Sequence, residues 1–177
     1  MTSETCTPFG VSGLAVHVRF LRDARMLYAG HEADGGQEGI GPCGLAYATP
    51  HAAGLDLRAC LAEESITIPP GERRAIPVGV AIEPQALNVA GFVYSRSGLG
   101  AKRGLTVSQG VGVIDPDYRG EIIVSLLNTS GEERTVSRGE RIAQIVFQPF
   151  FRPTLVEVDQ LGATVRGSGG FGHTGSL

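Results

Sequence analysis

Turn-forming residues interrupt this sequence so often that no long element fits between them. Glycine occurs 26 times and proline 10 times among 177 residues, about a fifth of the chain against an average near 12%. Between the interruptions lie short runs: Val16–Phe20, Leu55–Ala59, Ser65–Ile68, Arg74–Ile82, Gly91–Tyr94, Leu105–Val107, Glu121–Leu127, Glu133–Val136, Ile142–Phe150 and Leu155–Val158. Each reads as a strand, and the alternation of Val16-His17-Val18-Arg19-Phe20 suits one buried face. No stretch sustains a helical period. The one helix candidate, Ser97–Lys102, is a turn or two opened by serine and closed near Gly104. Many short strands without the spacing of βαβ units predict an all-β sandwich, jelly roll or barrel. At this length a single domain with one core is expected.

The charge balance narrows what such a domain can bind. With 15 Lys+Arg against 18 Asp+Glu the net charge is −3, so no long-range field attracts nucleic-acid duplexes or anionic membranes, and any phosphate chemistry must be local. Cys6, Cys43 and Cys60 are odd in number and lack C-x-x-C spacing, which predicts reduced thiols rather than disulfides. His17, His31 and His51 show no ligand spacing with those cysteines, so no structural zinc site is expected. The opening MTSETCTPFG lacks a basic and then apolar signal, and no run of about 18 apolar residues occurs, which predicts a cytoplasmic location. Residues 1–13 read as a mobile leader, and residues 30–44, with six glycines, as a long mobile surface loop with no assigned function.

Four segments carry candidate chemistry. The tail RGSGGFGHTGSL (166–177) is too glycine-rich to pack on its own, yet glycines let a backbone wrap an anion and aim its N–H groups there. Arg166, Ser168, His173 and Thr174 add donors, and Phe171 could stack on a base. The spacing fits neither the P-loop nor the dinucleotide-binding fingerprint, so a flexible linker competes with this reading. In Ile114-Asp115-Pro116-Asp117-Tyr118-Arg119-Gly120, Pro116 fixes its own φ and biases Asp115 toward an extended conformation. That holds a carboxylate in a defined direction, as a general base requires; a plain β-turn is the alternative. Tyr94-Ser95-Arg96-Ser97-Gly98 is a strand end entering a short helix, offering amides, a hydroxyl and a guanidinium to phosphate, or simply an N-cap. In Arg141-Ile142-Ala143-Gln144, the Gln144 amide either meets phosphate or faces solvent.

Together with Ala53-Gly54-Leu55-Asp56-Leu57-Arg58-Ala59, these segments resemble the five ordered motifs of the deoxyuridine triphosphate nucleotidohydrolase (dUTPase) family, from about Val16 to Gly175. The resemblance implies a jelly-roll-like β-barrel or sandwich subunit over 14–165 with one short helix, assembled as a homotrimer with shared active sites. It implies hydrolysis of dUTP to dUMP and pyrophosphate, with Mg²⁺ and water attacking the α-phosphorus, which limits uracil incorporation into DNA and supplies dUMP. Asp115 matches the residue that activates the water, and Tyr118 the ring that excludes a ribose 2′-hydroxyl. Main-chain groups of a hairpin at about Leu105–Ile114, Gly110 and Val113 among them, would read uracil. Arg96, Ser97, Gly98 and Gln144 match phosphate-binding positions, and Asp56 the aspartate that meets the metal through water. Arg166, Gly170, Phe171, Gly172, His173 and Thr174 match an arm that reaches across from another subunit and closes the site. Ser95 stands where the family usually has proline, and His173 where serine is commoner. The rival readings are a dCTP deaminase-type enzyme, which uses a glutamate and lacks the Asp-Tyr-Arg-Gly turn, and a non-catalytic nucleotide-binding regulatory module, in which Asp115 or the arm would be damaged.

Overall fold

The computed structural model describes residues 14–29, 45–49 and 51–170. The expected leader (1–13), the expected loop (30–44) and the arm from Phe171 onward lie outside them. Among the described residues eleven strands and two short helices follow in the order β1 Val16–Phe20, α1 Ala24–Tyr28, β2 Leu55–Arg58, β3 Ser65–Ile68, β4 Arg73–Pro77, β5 Val80–Pro84, β6 Val89–Tyr94, α2 Ser97–Arg103, β7 Leu105–Val107, β8 Val111–Ile114, β9 Ile123–Asn128, β10 Arg134–Ser137 and β11 Arg141–Pro149. The fold is all-β, as the turn density predicts. Every ladder is antiparallel, in a four-stranded sheet β2-β11-β6-β8, a three-stranded sheet β4-β9-β7 and two pairs, β1-β5 and β10-β3. Leu57, Ile76, Leu105, Leu126, Ile142 and Ile145 are fully buried in one apolar cluster to which all of these sheets contribute. Among the described residues no helix is long and apolar enough to cross a membrane.

Four expectations need correction. The run Arg74–Ile82 is two strands, because Gly79 adopts φ +70° between them. A Cβ on Gly79 would lie 2.2 Å from the Cβ of Ala24, so the break is also where the unexpected helix α1 docks. That helix is one turn, too short for a periodic signal, and buries Ala24 and Tyr28. The Tyr28 hydroxyl donates to the Val78 carbonyl and accepts from the Arg58 amide, each at 3.0 Å. The expected hairpin over Leu105–Ile114 is a corner between sheets, since β7 pairs with β9 and β8 with β6. Leu155–Val158 forms no strand: residues 151–165 run exposed and join none of the described ladders, with Phe151 97% and Leu161 90% accessible.

Candidate functional site

Strand pairing aligns motifs that are far apart in sequence. Gln144 on β11 lies opposite Asp56 on β2 and opposite Tyr94 on β6, so Asp56, Gln144 and the turn after Tyr94 form one row across three strands. Arg141 and Gln144 are three residues apart and would point to opposite faces of a regular strand. A register shift between Arg141 and Ala143 inserts one residue there and turns both side chains to the same side. They line one cavity of about 850 Å³ with Gly54, Asp56, Arg96 and Ser97, a volume suited to a nucleotide-sized ligand.

Within this cavity the cations are held in place before any ligand arrives. Arg96 Nε lies 2.8 Å from Asp56 Oδ1, and Arg141 Nη1 lies 3.2 Å from Asp56 Oδ2. Burial, and then the neighbouring Arg141 charge, make Arg58, opposite Arg141 in the β2–β11 ladder, give up its proton more readily than usual. Gln144 neither points to solvent nor waits for a ligand with its whole amide: Nε2 donates to the Ser95 carbonyl at 3.1 Å. Gly54 makes room for it, since a Cβ there would come within 2.5 Å of Gln144 Oε1. The helix α2 is capped at its end by Gly104 in the left-handed conformation at φ +68°, as expected from sequence. Its N-cap is Arg96 with no side-chain cap bond, so the Ser97 hydroxyl is not spent on capping. Gly98 lies open to the cavity, with nothing within 4 Å of where its Cβ would be. Sequence reading overlooked Lys102, Arg103 and Glu140, which also line this cavity; their spacing at the end of a short helix and the start of a strand carries no motif.

The second group assembles elsewhere. Asp115, Pro116, Asp117 and Tyr118 form a β-turn closed by the Tyr118 amide on the Asp115 carbonyl at 3.1 Å. The β-turn is present, yet among the described residues the Asp115 carboxylate does not bond the local amides, as a plain turn would have it. Arg119 braces the turn, donating to the Pro116 carbonyl at 2.7 Å and pairing with Glu83 at 2.8 Å. A hydrogen bond from His17 and the Arg119 charge hold Glu83 below the usual carboxylate range. Among the described residues the exposed Asp115 carboxylate makes no side-chain hydrogen bond, which leaves it to solvent. The Tyr118 ring folds back over Gly120, where a Cβ would lie 2.3 Å from its hydroxyl, and that hydroxyl donates to the Glu121 carbonyl at 3.0 Å. Val113, Asp115 and Tyr118 share a cleft of about 180 Å³. Gly110, at φ +79°, lies on the corner before β8 and lines neither cleft.

These two groups do not meet within one chain. In the β6–β8 ladder Ile114 lies opposite Gly91 and Val111 opposite Tyr94, so Asp115 is level with Ala90, six residues before Arg96. At about 3.3 Å per residue that is a separation of roughly 20 Å, far beyond the single bridging water that a general base can work through. Arg166 donates to the Gly169 carbonyl at 2.9 Å in a local turn, and neither Arg166 nor the exposed Gly170 lines either cleft. Phe171, Gly172, His173 and Thr174 lie outside the described residues.

Comparison with known proteins gives the same motifs a context. The dUTPase family model matches residues 44–175. A Desulfitobacterium hafniense (strain DSM 10664 / DCB-2) protein named deoxyuridine 5′-triphosphate nucleotidohydrolase is 54% identical over 129 residues, covering 73% of this chain and 85% of its own. A crystal structure of dUTPase from Streptococcus mutans aligns with TM-score 0.55 and 32% identity over 60% of this chain and 84% of that one. A mutant Staphylococcus bacteriophage 80alpha dUTPase with dUpNHpp aligns with TM-score 0.70 over 92% of this chain and 99% of its own, and at 21% identity it speaks for the fold alone. With a family model spanning most of its length, and a relative sharing more than half of the aligned residues, the chain belongs to the dUTPase family.

Proposed function

We propose that this chain hydrolyses dUTP at the α-phosphorus in active sites shared between the subunits of a homotrimer. The activity is that of a dUTP diphosphatase: dUTP and water give dUMP and pyrophosphate. In the proposed step the water oxygen bonds to the α-phosphorus, the bond from that phosphorus to the oxygen bridging toward the β-phosphorus breaks, and Asp115 takes the water's proton. Arg96, Ser97, Gly98 and Gln144 hold the phosphates, the Tyr118 ring fills the space a 2′-hydroxyl would need, and main-chain groups near Gly110 and Val113 read the base. Arg166, Gly170, Phe171, Gly172, His173 and Thr174 close over the nucleotide from a neighbouring subunit.

The residues present also fit the expected Mg²⁺ in one particular way. Among the described residues no group of three or more His, Cys, Asp or Glu could hold an ion. Each Asp56 oxygen already faces a guanidinium, which leaves the remaining lone pairs for water. The chain thus suits an ion carried by the triphosphate, with Asp56 meeting its hydration shell. When bound, the ion offsets phosphate charge that would repel the incoming oxygen.

The observation that carries the shared-site reading is the roughly 20 Å between the Asp115 turn and the Arg96 turn at opposite ends of β6. In this reading a second copy supplies the other half. The exposed apolar stretch from Phe151 to Val165 supports this, since it is surface a lone subunit leaves wet. Incubation of the purified protein with dUTP, dCTP and UTP, with and without a chelator, followed by chromatography, tests the reaction. Metal-dependent dUMP and pyrophosphate from dUTP alone is expected; deamination of dCTP, or no turnover, would overturn it.

A further inference from the structure

Ser95 links three parts of the molecule that no single strand joins. Its carbonyl accepts from Gln144 Nε2 at 3.1 Å, and its hydroxyl oxygen accepts from the Val107 amide at 2.8 Å. It is itself the residue between the end of β6 and Arg96, where the phosphate turn begins. Val107 is only 3% exposed, and a buried N–H left without a partner is costly. Val107 is also the last residue of β7, three positions before the corner glycine Gly110.

We propose that Ser95 is a positioning residue for the phosphate turn, its hydroxyl pinned to the Val107 amide so that its carbonyl holds the Gln144 amide and its peptide aims Arg96, Ser97 and Gly98 into the cavity. This rests on reading that cavity as the triphosphate site. Hydrogen bonds from two different sheets meet on this one residue, which fixes it against sliding in either direction. Neighbouring Arg96 gains a further tie, donating from Nη1 to the Arg141 carbonyl at 3.3 Å. Removing the hydroxyl releases the Val107 anchor while leaving Arg96, Gln144 and Asp56 chemically intact, so the loss falls on binding of the β- and γ-phosphates rather than on the chemical step.

The test combines Ser95→Ala and Ser95→Thr in the full chain. In the wild type without nucleotide, the Val107 amide is expected to exchange at least tenfold more slowly than the exposed Gln109 amide; equal exchange overturns the proposal, whether or not dUTP is turned over and whether or not Ser95→Ala folds. Ser95→Ala is expected to raise KM for dUTP about five- to tenfold and keep kcat within about threefold. Inhibition by dUMP, which lacks the outer phosphates, is expected to change less than twofold. Ser95→Thr, which keeps the hydroxyl, is expected to restore KM. Unchanged KM in a folded Ser95→Ala protein, an equal loss of dUTP and dUMP affinity, or no recovery in Ser95→Thr would each show that Ser95 does not position the phosphate turn.

Discussion

Two side chains, Asp115 and Tyr118, divide the work of the proposed chemistry, and each can be removed without touching the core. Asp115→Asn keeps the size of the side chain and the turn around it, so folding and binding of an unreactive dUTP analogue are expected to survive. Its kcat is expected to fall by about 10²–10⁴, and near-wild-type turnover in steady-state assays would exclude Asp115 as the base. Tyr118 is held by its hydroxyl on the Glu121 carbonyl and by the absence of a side chain at Gly120. Tyr118→Ala is expected to narrow the ratio of kcat/KM for dUTP over UTP by about 10- to 100-fold, measured by competition between the two substrates. Gly120→Ala should act in the same direction, because its new methyl occupies the space of the ring. Asp115 and Tyr118 were legible in the sequence as a proline-braced polar turn, yet Gly120 was legible only as a turn residue: that it sits beneath a ring depends on how the turn folds back.

Elements were readable wherever one strand lay between two turn signals, and became unreadable where the signal was positional. Ser65–Ile68 and Leu105–Val107 match the structure residue for residue, because turn residues bound each run. The division of the run 74–82 depends on a left-handed Gly79 under Ala24, and the short strand Val111–Ile114 was hidden by Gly112 at its middle. The shift that turns Arg141 toward Asp56 leaves no trace in composition at all. Helix α1, equally invisible, gives a sharp handle on stability. Burial pushes the Tyr28 hydroxyl above its usual range for ionisation, so as pH rises the unfolded chain loses this proton first, near pH 10. The stabilisation is therefore fully present below about pH 10 and declines above it, by up to about 1.4 kcal/mol per pH unit. Tyr28→Phe lacks this ionisation. Urea unfolding at pH 8 and pH 11 is expected to show the wild type losing its advantage over Tyr28→Phe at the higher pH; a constant difference would mean that the hydroxyl is not shielded.

At the scale of the whole molecule, the proposed sharing of sites would make defects complementary. Asp115→Asn and Arg96→Ala chains are each expected to be nearly inactive alone. Unfolded together in equal amounts and refolded, they are expected to recover about a quarter of wild-type activity, because one site in four then pairs an intact Asp115 with an intact Arg96 from different chains. No recovery would mean that both halves serve within one chain. Deleting residues 166–177 is expected to leave assembly intact, by light scattering, and to abolish most turnover, since a sequence so rich in glycine has little apolar surface to give a core. Leu155–Val158 reads as a strand in sequence because its apolar spacing resembles one, yet spacing carries no information on whether a partner strand lies beside it. That same stretch sets the order of events when the protein is made. The last described strand ends at Pro149, so Phe151–Val165 is made only after every described strand. In the proposed trimer, the strands would close into their sheets before other copies cover that apolar segment. If the proposed trimer covers this stretch, dilution, rather than heat, is the condition that first exposes the apolar surface, and a newly made subunit at low abundance is the species most in need of a chaperone.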